Sequence, residues 1–495
     1  MESTNRKRST SARVARFGSF TPNCEVSILN WGATQLAGLH LWKTLTLPGN
    51  TINGVVTSHV IFTNNDIQKS KMSAQVRLRL LPSTRCLFDD PIQVKIAGLR
   101  PKQEVTVEAS STDEKGVVFS SSATYRSDSN GEIHLDRDVS LGGSYCGVEP
   151  MGLLWSMKPA VSFKRFQKTN ALSPHVVNFS VHEGGEEKRG RMLAEVTNER
   201  LLMGEGISRV PVREGNICGV LFTPPGRGLF PAVLDLYTSG GGLSERRAAL
   251  LASRGFLVLT MTLYGSEEQP KNIQRMHLDN FEEAIEFLKK QDKVGSKGVG
   301  VITLSKSGDL GLSIASYLSS VDAVIWINGC SANTAFPLYY KNKQILSTLS
   351  CDMEKVIHTQ SGPVITKYAV QDPLKEENRT ALIPIERSKA QFLFVASEDD
   401  LNWDSKGYMM EMVERLKHHG KQNFESVCYP GAGHYLEPPY GPYCPSSYHV
   451  YAKTRVMWGG EPAAHAAAEV QLWKKIQEFF GTHLRCDTPQ TYAKL

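Results

Sequence analysis

From Val76 to about Val181, apolar and polar residues alternate in short runs, each cut off by turn-forming residues. Ile92-Gln93-Val94-Lys95-Ile96, Val105-Thr106-Val107-Glu108-Ala109 and Glu132-Ile133-His134-Leu135 have the period of two that sends successive side chains to opposite faces of a strand. Arg100-Pro101, Ser129-Asn130-Gly131 and Leu141-Gly142-Gly143 supply the turns between them. This spacing predicts an all-β, immunoglobulin-like sandwich over residues 73–205. After a charged stretch from Glu183 to Arg191 the pattern changes. Val233–Tyr237, Phe256–Leu263, Gly298–Leu304, Val324–Ile327 and Gln391–Ala396 are predominantly apolar and too short for helices. Between them, Phe281, Ala284, Ile285 and Leu288 follow the i, i+3, i+4, i+7 spacing of an amphipathic helix. Strand alternating with helix predicts an α/β domain with a parallel sheet over 206–486. Residues 1–72 are expected to be a disordered extension and 487–495 a tail. No internal repeat is visible.

One junction in this alternation carries chemistry. The run Gly298–Leu304 passes into Leu310, Leu312, Ile314, Ala315 and Leu318, a helix candidate, with Ser305 at the turn. A serine there is lifted clear of the sheet, as in the nucleophile elbow. Such an elbow usually has glycine two positions before and after the serine, and here Thr303 and Ser307 stand in those places. A hydrolase triad then needs an acid after a later strand and a histidine on a later loop. Gln391–Ala396 runs into Glu398-Asp399-Asp400, either aspartate of which satisfies the order. Glu425–Tyr429 runs into Pro430-Gly431-Ala432-Gly433-His434. His434 would take the Ser305 proton, and the acid would hold the imidazole in the productive tautomer. The glycines 240–242 lie where a hydrolase supplies one oxyanion-hole N–H, with Ser239 a candidate donor and Lys306 the other. The segment Cys330–Arg387 is long for a connection and is expected to fold over the site and shape a pocket.

Several motifs together resemble one family. They are Gly431–Tyr440, Trp458-Gly459-Gly460-Glu461-Pro462, Leu278–Ala284, Ser305-Lys306 and Gly147–Trp155. The chain is similar across residues 75–484 to the type I acyl-CoA thioesterase and bile-acid-CoA:amino acid N-acyltransferase family. The resemblance implies a β-sandwich before an α/β-hydrolase domain, an acyl-CoA substrate, and a triad of Ser305, Asp400 and His434. It selects Asp400, because the family's acid is the second of the adjacent pair. It implies no separate cofactor, CoA being part of the substrate. The Thr303 departure is shared with the acyltransferase branch.

Composition narrows the rest. The formal charge is +6, but Met1–Arg16 carries five basic residues against one acid, leaving +2 for everything else. That excludes a nucleic-acid reading, which needs a clustered basic footprint. The nine cysteines are scattered without a CxxC pair, so neither a disulfide framework nor a zinc site is expected. No run of 18 apolar residues predicts a membrane span. His418-His419 read as a solvated helix end, His465 as a helix-packing residue, and Trp155 and Trp326 as core aromatics. The Lys306 side chain has two readings, near the CoA phosphates or in solvent. The final Ala493-Lys494-Leu495 fits the small–basic–leucine pattern read by the peroxisomal import receptor. The expected address is the peroxisome, with cytoplasm or mitochondrion as the alternative.

Three activities fit these residues. The leading one is a serine acyl-CoA thioesterase that forms an acyl-enzyme and resolves it with water. The alternative is an N-acyltransferase that resolves the same intermediate with glycine or taurine. The third is a binding protein without turnover, prompted by Thr303 and Ser307.

Overall fold

The computed structural model describes residues 46–47, 50–51, 75–185, 189–237, 242–263, 273–296, 298–450, 452–484 and 486. Residues 74–495 form a single compact unit. It starts with two sheets. Arg77–Leu81, Gln93–Ala97 and Ile133–His134 make a three-stranded antiparallel sheet. The second is built on Val118–Arg126, Glu104–Thr112, His175–Glu183 and Met192–Leu201, paired antiparallel in that order, with Arg85–Leu87 parallel on its edge. The alternation explains the layering. Leu80, Val94 and Ile96 of the first sheet and Val107, Phe179 and Val181 of the second point into one shared core, while Lys95 and Ser180 between them are only half-buried.

The remaining chain builds an eight-stranded sheet from β1 (Ser208–Glu214), β2 (Ile217–Thr223), β3 (Ala232–Leu236), β4 (Leu257–Met261), β5 (Val299–Thr303), β6 (Val321–Ile327), β7 (Gln391–Ser397) and β8 (Phe424–Tyr429). The strand order is β1-β2-β4-β3-β5-β6-β7-β8. β2 is antiparallel to both its neighbours and all later pairs are parallel. This is the arrangement of an α/β-hydrolase. The five central strands are largely apolar because both faces are covered, and Asp235, a buried charge within them, is paired with Arg247. The helices are α1 (Arg246–Ser253), α2 (Leu278–Lys289), α3 (Ser307–Tyr317), α4 (Ser405–His418) and α5 (Pro462–His483). One face of the sheet packs with α2, α3 and α4, and the other with α1 and α5. Phe281, Ala284, Ile285 and Leu288 are the buried stripe of α2. Parallel strands place their C-terminal ends on one rim, and the loops that leave it carry the candidate site. Among the described residues, no helix is long and apolar enough to cross a membrane.

Candidate active site

Ser305 has φ +63°, between the end of β5 and the start of α3. An L-residue takes this left-handed conformation only where its surroundings hold it, and the surroundings here are tight. Its N–H donates to Ile327 O at 2.9 Å, and its carbonyl accepts from Gly308 N at 2.8 Å. The space usually secured by glycines beside the serine is provided elsewhere. A Cβ on Gly311 would lie 2.6 Å from Thr303 Cγ2, and one on Gly308 would lie 2.8 Å from Trp326 Nε1. The absence of those two Cβ atoms leaves room for the Thr303 side chain and for the close approach of helix to strand. Thr303 Oγ1 donates to Ile325 O. Ser307 Oγ accepts from Leu304 N and donates to Leu236 O at 2.7 Å, fastening the elbow to the end of β3.

β7 ends at Ser397 and the chain turns through Asp399, exposed, to Asp400, fully buried. Asp400 Oδ1 accepts from the N–H groups of Asn402 (2.8 Å) and Trp403 (3.0 Å), and Oδ2 from Ser405 Oγ (2.5 Å). Its last bond is to His434 Nδ1 at 2.8 Å. These contacts fix the carboxylate in place and assign the Nδ1 proton to the side facing it, so Nε2 is the free acceptor. His434 Nε2 then lies 2.9 Å from Ser305 Oγ. All three side chains are shielded from bulk solvent, Ser305 being 4% exposed and the other two 0%. The arrangement can move a proton from a serine hydroxyl to a histidine held by a carboxylate.

Several residues that the sequence reading left aside hold this relay. Asn328, at the end of β6, donates from Nδ2 to His434 O at 2.7 Å and accepts from Ser397 N at 2.8 Å, tying the acid strand to the histidine loop. Trp458 stacks on the His434 ring at 5.5 Å and 17°. His465, expected as a packing residue, is also a clamp. Its Nδ1 accepts Gly433 N–H at 3.0 Å and its Nε2 donates to Tyr435 O at 2.9 Å, so it grips the histidine loop on both sides. Neither reading of the Lys306 side chain holds. Its ammonium is buried against Asp309 at 2.6 and 2.8 Å, and Asp309 also accepts from the N–H and hydroxyl of Thr334. Burial raises the Asp309 carboxyl above its ordinary range, and the adjacent ammonium and Thr334 work against that rise. His418 and His419 sit on an exposed helix end, whereas Trp155 and Trp326 are buried.

The relay opens on an apolar cavity of about 380 Å³, bordered by Ser305, Lys306, Asn402 and Trp403. Its far wall, from Thr334 through Met353 to Val370, comes from the long segment between β6 and β7. His449 also lines it. Burial, and then the neighbouring His434, lower the imidazole of His449 to about 4, so it is neutral at physiological pH. Lys306 precedes the first residue of α3, so its N–H has no intrahelical partner. Ser239 and Ala493-Lys494-Leu495 lie outside the described residues. Among the described residues, no group of three or more His, Cys, Asp or Glu is placed to hold a metal ion.

Residues 89–214 match the acyl-CoA thioester hydrolase/BAAT N-terminal region, and residues 276–486 match the BAAT/acyl-CoA thioester hydrolase C-terminal region. The chain belongs to this family. Its relatives include acyl-coenzyme A thioesterase 1 of Homo sapiens, 41% identical over 82% of this chain and 96% of that one. Acyl-coenzyme A thioesterase 5 of Mus musculus is 42% identical over 84% and 99%. Acyl-coenzyme A thioesterase 2, mitochondrial, of Homo sapiens is 41% identical over 82% and 84%. Among solved structures, the Pyrococcus horikoshii acylaminoacyl peptidase is 13% identical with a TM-score of 0.40, over 82% of this chain and 61% of that one. The C-terminal family match includes Ser305, Asp400, His434 and the segment that walls the cavity.

Proposed function

We propose that this protein hydrolyses acyl-CoA thioesters to free acid and CoA through an acyl-enzyme on Ser305. The observation that carries the reading is the Ser305–His434–Asp400 relay opening directly onto an apolar cavity. In this mechanism Ser305 Oγ attacks the thioester carbonyl as His434 Nε2 takes its proton, and Asp400 stabilises the imidazolium. His434 then returns the proton to the departing CoA thiolate. Water attacks the acyl-enzyme, again losing its proton to Nε2, and the ester bond to Ser305 breaks. Lys306 N–H and a second backbone N–H, that of Ser239 or a neighbouring glycine by the sequence pattern, would stabilise the oxyanion. The acyl chain would occupy the cavity, whose lining is apolar apart from a few convergent polar groups. No separate cofactor is required by these steps. The three relatives given above are named acyl-coenzyme A thioesterases, which supports the substrate class.

Two finer points belong to the same proposal. The two N-terminal sheets with their shared core support an immunoglobulin-like sandwich. Where Ala493-Lys494-Leu495 terminates the chain, it would be read by the peroxisomal import receptor. Imaging an amino-terminally tagged protein with and without Leu495 tests this address, and a diffuse or mitochondrial signal from the intact chain counts against it. The activity is tested by product analysis with acetyl-, octanoyl-, lauroyl- and palmitoyl-CoA, with and without taurine. Free acid and CoA in both conditions are expected. Acyl-taurine as the main product would instead assign the transferase reading, and no product from any thioester would leave a binding protein.

A further inference from the structure

A second polar group reaches His434 Nε2 from within the cavity. Asn402 Nδ2 lies 3.3 Å from it, beside Ser305 Oγ at 2.9 Å. Asn402 is 5% exposed and lines the cavity with Ser305. Its orientation is fixed at both ends. The backbone N–H donates to Asp400 Oδ1 at 2.8 Å, and Thr366 Oγ1 lies 3.0 Å from the Asn402 backbone carbonyl and 3.1 Å from the carboxamide Oδ1. With Oδ1 on the side of that shared hydroxyl, the N–H₂ end faces the imidazole. Nδ1 of His434 already donates to Asp400, so Nε2 is an acceptor and Asn402 approaches it as a second donor.

In the free enzyme that second donor is redundant, because Ser305 O–H occupies Nε2. The situation reverses after acylation. Ser305 Oγ is then an ester oxygen without a hydrogen, and Nε2 must accept from the incoming nucleophile. We propose that Asn402 selects that nucleophile, holding water for attack and disfavouring amines. This rests on the Ser305–His434 reading and adds a residue to it. Lone pairs distinguish the two nucleophiles. Attacking water gives one hydrogen to Nε2 and one lone pair to the acyl carbon, and its second lone pair can accept Asn402 N–H. A neutral amine has a single lone pair, which must form the new C–N bond. It leaves the Asn402 donor unpaired in a buried site, which costs free energy. In the step itself the water oxygen bonds to the acyl carbon and the carbon–Ser305 Oγ bond breaks. The proton passes from water to Nε2 and on to Oγ, so no other reactant is needed.

The test compares wild type, Asn402→Leu, Thr366→Val and Ser305→Ala with the best substrate among the four thioesters named above. Intact-mass spectrometry follows the acyl adduct, and product analysis with added glycine follows the partition between acid and amide. Asn402→Leu is expected to slow deacylation at least about tenfold, because the attacking water loses its positioning. The adduct therefore accumulates in the steady state, and the amide share rises several-fold. Thr366→Val frees the carboxamide and moves both readouts the same way by a smaller amount, so it carries the test if the leucine variant does not fold. An Asn402→Leu protein that turns over with no adduct accumulation and an unchanged partition overturns the proposal. Equal loss of acylation and deacylation overturns it too, since that marks a structural role. Turnover by Ser305→Ala is a separate outcome that overturns the nucleophile reading beneath it.

Discussion

At the scale of single residues the decisive asymmetry is between two adjacent aspartates. Asp400 is buried with both oxygens bonded, one of them to His434, whereas Asp399 faces solvent. Asp400→Asn presents an amide to Nδ1 and favours the wrong imidazole tautomer. It should lower kcat by roughly three to four orders of magnitude. Asp399→Asn should change it by less than about twofold, surface substitutions being nearly neutral. Steady-state kinetics on the two variants checks the ranking, and the reverse order would move the acid to Asp399. Ser305 and His434 are visible as reactive residues just past apolar runs, whereas the pattern leaves Asp399 and Asp400 equivalent and only the family resemblance selects Asp400. His465, Asn328 and Asn402 are not visible in this way. They act through contacts 30 to 106 positions away in sequence, or through the rotation of an amide, and neither leaves a local pattern.

The elements show where a familiar motif is replaced by its physical equivalent. An elbow needs space between strand and helix, and glycine at fixed positions is only one way to obtain it. Here Gly308 and Gly311, inside α3, leave that space to Trp326 and Thr303. Gly311→Ala should therefore overpack the elbow and lower stability by about 1–3 kcal/mol. Thr303→Gly in the same chain should recover part of that loss, because the clashing Cγ2 is gone. A double-mutant cycle by denaturant unfolding measures the coupling, and strictly additive effects would mean that the two residues do not share this space. The strand and helix pattern was readable because both faces of the central sheet are covered, which forces continuous apolar runs. The segment between β6 and β7 is readable as a long connection that shapes a pocket, but its internal elements are not. Its short pieces, such as Leu338–Tyr340 and Val364–Ile365, pair with distant partners and have no periodicity of their own.

Across the whole molecule, the N-terminal sheets and the hydrolase sheet meet through buried polar groups. Asp89 accepts from Arg254 Nε at 2.8 Å and from Trp473 Nε1 at 2.7 Å. Close by, His175 packs between Phe88 and Phe166, with ring centroids 5.4 and 4.7 Å away, and neither ring nitrogen has a hydrogen-bond partner. Burial, aided by Arg200 and Arg246, lowers its imidazole to about 3. In the unfolded chain the same group titrates near 6.5. The unfolded state therefore binds the extra proton first, so this contribution is complete above pH 6.5 and is lost as the pH falls towards 3. His175→Phe should flatten the decline of Tm between pH 6 and 4. An unchanged decline would assign acid sensitivity to other groups. The junction was not legible in advance, since Phe88, Phe166 and His175 carry no sequence signal that their rings pack together. The central claim, a covalent acyl intermediate on the elbow serine, is tested most directly by mixing protein with an acyl-CoA, quenching in acid and mapping the peptides. The account predicts a mass increase equal to the acyl group on the peptide containing Ser305, absent in Ser305→Ala, which also loses turnover. Hydrolysis that proceeds in Ser305→Ala, or an adduct on a different residue, would contradict it.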